Sequence, residues 1–161
     1  MKIGVVSDTH NNLKNVTKIV DLFNEAGIER VVHTGDITQA KTLHLMAHLD
    51  ARMVGVFGNN DFERRTLEAA TLRHGFHFVE PPLELLWHDR RIVVVHDPRD
   101  LAGIDANGFD IALHGHTHSL CIERANGQLI FNPGECAGHM VGRNAVGVLD
   151  LATLEIELLF F

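Results

Sequence analysis

Three times in the first half of the chain a short apolar run passes into a polar loop and then into an amphipathic helix, and this recurrence restricts the fold more than any other feature. Residues 3–6 precede Ser7-Asp8-Thr9-His10-Asn11-Asn12, after which Leu13, Val16, Ile19, Val20 and Phe23 recur at helical spacing until Gly27. Residues 31–34 lead through Gly35-Asp36 into a helix carrying Leu43, Met46 and Leu49. Residues 53–57 lead through Gly58-Asn59-Asn60-Asp61 into a third helix over 63–73, with Asp61 predicted as its cap. Strand, loop and helix in this order predict βαβ units around a parallel sheet.

The second half reads differently. Residues 83–87 and 92–95 flank His88-Asp89-Arg90-Arg91, and residues 121–124 and 128–131 flank Asn126-Gly127, a dipeptide whose tolerance of positive φ marks a hairpin. A strand is predicted over 109–113, and a last pair over 145–151 and 154–160. The expectation is an α/β chain with two sheets packed face to face and helices outside. No linker, solenoid period or low-complexity segment interrupts it, so residues 1–161 read as one domain, long enough to bury a core.

Composition narrows the function classes. With 45% apolar and 22% charged residues the chain reads as an ordinary globular protein, and no apolar run approaches the length of a membrane span. The start, Met1-Lys2-Ile3-Gly4-Val5-Val6, enters a strand without the layout of a signal peptide, which predicts a cytoplasmic protein. Cys121 and Cys136 are too few for a disulfide framework and too far apart for a zinc ribbon, and read as reduced bystanders. A net charge of −7 argues against non-specific binding to nucleic acid or an anionic membrane. A phosphate-bearing substrate therefore needs local positive charge, which a divalent metal supplies.

Twelve histidines are present, and the question is which of them cluster. In His114-Gly115-His116-Thr117-His118 the alternation sends three imidazoles to one side of an extended chain. Asp8 and His10 follow the first strand, Asp36 the second, Asn59 the third, His96 the strand ending at 95, and His116 with His118 the strand ending at 113. In a parallel α/β architecture those carboxyl ends share one edge, where ligands bind. The set holds oxygen and nitrogen donors and no thiolate, which suits manganese, iron, cobalt, nickel or zinc better than magnesium or calcium. Seven donors exceed the need of one ion; with a bridging carboxylate they divide between two ions roughly 3.5–4 Å apart.

Taken singly, each has a plainer reading: Asp8 and Asn59 as helix caps, Asp36 as a turn residue, the histidine triplet as a polar strand end. His44 and His48 lie four apart on an ordinary surface helix, His74, His77 and His88 fall in loop or edge contexts, and His33 reads as a satisfied core residue. His139 follows Asn132-Pro133-Gly134-Glu135 and is placed near the cleft only as a weak expectation.

In order and spacing, Asp8-Thr9-His10, Gly35-Asp36, Gly58-Asn59-Asn60-Asp61, His96, Gly115-His116-Thr117-His118 and Asn132-Pro133-Gly134-Glu135 resemble the blocks of the calcineurin-like metallophosphoesterases. The similarity is greatest to their small single-domain phosphodiesterase branch of bacteria and archaea. The resemblance implies a four-layer αββα sandwich. It implies one metal on Asp8, His10 and His118, a second on Asn59, His96 and His116, and Asp36 bridging, with His114 left as a bystander. Asp36, Asn59 and Asn60 are the residues it makes catalytic. It implies two divalent ions, manganese first with nickel, iron, cobalt or zinc as alternatives, and phosphodiester hydrolysis by in-line attack of a metal-bridging hydroxide. A small phosphodiester is the expected partner, and a homodimer fits the family, with alternate residues of Leu158-Leu159-Phe160-Phe161 available for a subunit contact. A catalytically weak scaffold on the same fold is the second reading; a nuclease is a third, for which no basic groove is visible.

Three positions depart from the family's common pattern. Asn60 stands where many members carry histidine, and a carboxamide has no exchangeable proton for general-acid work near neutral pH. Asp97-Pro98 replaces the glycine after His96 and brings a carboxylate that repels phosphate unless Arg99 neutralises it. Glu135 replaces a serine.

Overall fold

Alternation along the first strand sorts the protein into layers. In the computed structural model, which describes residues 1–105, 108–140 and 142–161, Ile3 and Val5 of β1 (Lys2–Val6) point to one side and Val6 to the other. Ile3 and Val5 join a buried cluster with Ile92, Val94, Leu113 and Phe131, all from the opposite sheet. Val6 joins the cluster formed by the helices. Period-two burial on both faces of a strand requires cover on both sides, and two sheets with helices outside provide it.

The first sheet contains β1, β2 (Arg30–His33), β3 (Arg52–Val56), β4 (His77–Val79), and the carboxy-terminal pair β10 (Ala145–Asp150) and β11 (Ile156–Phe160), in the order β11-β10-β1-β2-β3-β4. Strands β1 to β4 are parallel, with Val5 beside Val32 and Val31 beside Met53. The crossovers are α1 (Leu13–Glu25), α2 (Ala40–Met46) and α3 (Arg64–His74). Asn12 caps α1 by accepting from Asn15 N at 3.2 Å, and Val16, Ile19, Val20 and Phe23 form its buried face.

The second sheet has the order β5-β6-β7-β9-β8, from β5 (Leu83–Trp87), β6 (Arg90–Val94), β7 (Ile111–Leu113), β8 (Cys121–Ala125) and β9 (Gln128–Asn132). Strands β6, β7 and β9 are parallel, so their carboxyl ends point the same way. His88 and Asp89 take φ of 51° and 58°, and Asn126 and Gly127 take 53° and 80°, the mirror-image turns that match strand twist. The outer face of this sheet is covered by the 3-10 turn Pro98–Gly103, with Leu101 and Ile104 against Val93, Val95, Phe109 and Ala112. No helix among the described residues is long and apolar enough to cross a membrane.

Two local expectations differ from the structure. Strand β4 was not anticipated, because three residues with His77 exposed carry no readable period. Asp61 does not cap α3: Glu63 holds that position without a side-chain bond, and the Asp61 carboxylate is drawn inward instead.

Candidate metal centre

The predicted donors lie on loops that leave the carboxyl ends of β1, β2, β3, β6 and β7, and several of those loops reverse sharply. Asp8, His10, Asp36, His116 and His118 all have positive φ, between 41° and 67°. Each non-glycine residue held there costs about 1–2 kcal/mol, and such strain collects at functional sites. The turns aim the side chains at one another at once. Two glycines make room: a Cβ on Gly58 would strike the Asp36 carboxylate, and one on Gly115 would strike Ser7 Oγ and sit 2.7 Å from Asp8 Oδ2.

The donors fall into two clusters. In the first, His10 Nε2 lies 3.2 Å from His118 Nε2 and 3.9 Å from Asp8 Oδ1, and His118 Nε2 lies 3.5 Å from the same Asp8 oxygen. In the second, Asn59 Oδ1 lies 2.9 Å from His96 Nε2 and 2.9 Å from His116 Nδ1. Asp36 touches both: Oδ2 is 3.3 Å from His10 Nε2 and Oδ1 is 3.4 Å from His96 Nε2. His114 stays apart, buried with Nδ1 against the Gly115 carbonyl at 3.1 Å.

Hydrogen bonds behind the rings define which nitrogens face inward. The Thr34 carbonyl can only accept, so at 2.9 Å it takes the Nδ1–H of His96 and leaves a lone pair on Nε2. Glu135 Oε2 plays the same part at 3.1 Å from His118 Nδ1. The first cluster then brings a carboxylate and two imidazoles together and the second a carboxamide and two imidazoles, with Asp36 between them, donor sets of the kind divalent cations take. The donor chemistry therefore fits divalent metal ions in both clusters.

Electrostatics separates the two carboxylates. Burial raises Asp8 above the usual carboxylate range, partly offset by the Ser7 hydroxyl that donates to it. Burial works against Asp36 too, but the Asn60 N–H groups, together with His10 and His96 when those rings are protonated, outweigh it and hold this carboxyl far below the usual range. Asn60 gives Asp36 two of those bonds, from its backbone N–H to Oδ1 at 2.8 Å and from Nδ2 to Oδ2 at 2.7 Å. Its carboxamide is thus committed to orienting Asp36. Asp61, buried at the loop's hub, accepts from Gly58 N at 2.7 Å, Asp36 N at 3.1 Å and Thr38 N at 2.6 Å, which holds the two glycine-led turns together.

The other histidines disperse, except His139, which lies beside the first cluster as expected. His33 is fully buried between Thr9 Oγ1 and Gly35 N, and burial pushes its imidazole down to about 3. His44 pairs with His74 at 2.8 Å across two helices and not with His48. His139 stacks on His118, with ring centroids 5.2 Å apart and planes 9° from parallel, and its Nδ1 lies 3.6 Å from Glu135 Oε2. Asp97 lies 3.6 Å from His116 Nε2, and Arg99 does neutralise it: its side chain and its N–H bond the Asp97 carboxylate and hold the acid at about 2. The part of the site that sequence reasoning missed is the orienting role of Glu135, for which Asn132-Pro133-Gly134-Glu135 was the only signal.

The description "Calcineurin-like phosphoesterase superfamily domain" matches residues 1–154. A phosphodiesterase of Methanocaldococcus jannaschii is 31% identical over 154 residues, 93% of each chain. Phosphodiesterase YfcE of Escherichia coli K12 is 26% identical over 174 residues, 97% of this chain and 91% of its own. A solved archaeal phosphodiesterase superposes with a TM-score of 0.92 at 29% identity, over 100% of both chains.

Proposed function

The chain belongs to the calcineurin-like phosphoesterase superfamily, and from that premise we propose that it is a phosphodiesterase working with two divalent ions held by seven donors at the strand ends. The observation that carries this reading is Asp36, which sends one carboxylate oxygen toward each donor cluster, 3.3 Å from His10 and 3.4 Å from His96. Asp8, His10 and His118 would hold one ion and Asn59, His96 and His116 the other, with Asp36 shared. Bound there, the ions would supply Lewis acidity to the phosphoryl group and an activated water near neutral pH. Manganese is the first ion this reading takes, with nickel, iron, cobalt or zinc fitting the same oxygen and nitrogen set.

The protein's own groups fix geometry and charge. Thr34 and Glu135 hold His96 and His118 in the tautomers that direct Nε2 inward. Only two of the seven donors are anionic, so the occupied centre would keep positive charge and draw a phosphodiester anion to a chain of net charge −7. A small phosphodiester in the cytoplasm, where Cys121 and Cys136 stay as free thiols, is the substrate class this reading takes.

With Asn60 tied to Asp36, no side chain at that position protonates the departing oxygen. Manganese-loaded protein should therefore hydrolyse bis(4-nitrophenyl) phosphate above the rate of free metal, and its rate should fall steeply as the leaving group's pKa rises. Asn60→His should flatten that dependence, with about a hundredfold gain for the poorest leaving groups if the new imidazole acts as a full general acid. No turnover with any divalent ion would sink the phosphodiesterase reading; an unchanged slope in Asn60→His would sink the missing-acid argument.

A further inference from the structure

We propose that the cavity beside Asn59, His96 and His116 is a subsite for a planar, uncharged ester arm such as a nucleoside, and that Phe62 is the residue that selects it. The proposal rests on the phosphodiesterase reading above and names the substrate class of that site.

The cavity has a volume of about 660 Å³, within the range of small-molecule pockets, and it reaches the second donor cluster directly. Phe62 lines it, one residue beyond the buried Asp61, and is 82% exposed. No core cluster includes Phe62, whereas Phe23, Phe57 and Phe131 are all buried. Folding therefore gains almost nothing from this ring, and it offers an aromatic face to a cavity that adjoins three donors. Base–aromatic stacking uses such a face and tolerates any base.

The remaining walls select against charge. Three carboxylates, from Glu80, Asp97 and Asp100, face two guanidiniums, the Asp61 carboxylate being buried against Gly58, Asp36 and Thr38 N–H groups. Each guanidinium is matched to a carboxylate, Arg64 through Nη2 with Glu80 at 2.8 Å and Arg99 with Asp97, while Arg64 Nη1 is left without a partner. A second phosphate on the ligand would meet a lining with one carboxylate in excess of its guanidiniums. An oligonucleotide strand or a polyphosphate is disfavoured for that reason, while the N–H groups of a neutral base find acceptors there.

Calorimetric titration of manganese-loaded protein with thymidine 5′-monophosphate and with methyl phosphate tests this, because both carry the same dianionic head. Thymidine monophosphate should bind about tenfold more tightly, a stacking gain at the lower end of its usual range. Phe62→Ala should bring the two affinities within about twofold, and Phe62→Trp should preserve the difference. Equal affinities in the unaltered protein, or a ratio that Phe62→Ala leaves intact, would overturn the proposal. So would tighter binding of thymidine 3′,5′-bisphosphate than of the monophosphate. Hydrolysis of bis(4-nitrophenyl) phosphate, measured on the same preparation, keeps the two claims separate. Lost hydrolysis removes the phosphodiesterase reading while the affinity ratio still reports on the subsite; retained hydrolysis with a ratio of one removes the subsite alone.

Discussion

Asp36→Asn is expected to lower phosphodiester hydrolysis on the order of a thousandfold while the protein stays folded. Asp36 sends one oxygen toward each donor cluster, and replacing the carboxylate with a carboxamide leaves one oxygen and removes the charge. Asparagine is chosen because the backbone at Asp36 has φ of 58°, a conformation asparagine tolerates. Asp36→Ala should lose as much activity and about 1 kcal/mol of stability besides, since alanine lacks that tolerance. Steady-state kinetics beside a thermal unfolding curve checks both. A loss of less than about tenfold with intact folding would mean that Asp36 does not join the two halves of the site.

Glu135→Ala should weaken metal binding by about 10- to 100-fold, although Glu135 is itself outside the seven donors. Its Oε2 holds His118 Nδ1 at 3.1 Å, and its Oε1 accepts the Met140 N–H at 2.6 Å from a fully buried position. Without the carboxylate the His118 ring is free to change tautomer and rotate, and Nε2 no longer faces His10 and Asp8 by default. Loss of the bond from the part-exposed Met140 N–H adds about 1 kcal/mol of destabilisation. Glu135→Gln, which fills the same volume and keeps an acceptor, should recover much of the stability. Competition with a chromogenic chelator measures the affinity, and an unchanged affinity in Glu135→Ala would show that His118 needs no such support.

How much of this was readable before folding depends on how local each signal is. The repeated strand, loop and helix of residues 3–73 carries its own period, and β1, α1, β2, α2, β3 and α3 appear where the apolar spacing puts them. The convergence of the seven candidate donors was readable for a related reason: each follows a strand end, and parallel strands place those ends together. Asp61 was misread because its spacing to residue 63 mimics a helix cap, while two of its partners, Asp36 N and Thr38 N, lie more than twenty positions away. The pairing of His44 with His74 was equally illegible, since α2 and α3 meet only once the sheet has formed. Glu135 was visible as a departure from the pattern, but its bond to His118 crosses from the loop after β9 to the loop after β7. Phe62 left no trace at all, because a lone aromatic residue in a polar loop has no period to betray its exposure.

The shared centre is tested most directly by counting metal. Protein incubated with excess manganese, freed of unbound ion and analysed by plasma mass spectrometry beside amino-acid analysis should carry two ions per chain. The same treatment should leave one or fewer on Asp36→Asn. A single ion, or none, on unaltered protein that still hydrolyses a phosphodiester at its full rate would contradict a two-ion centre built on Asp36.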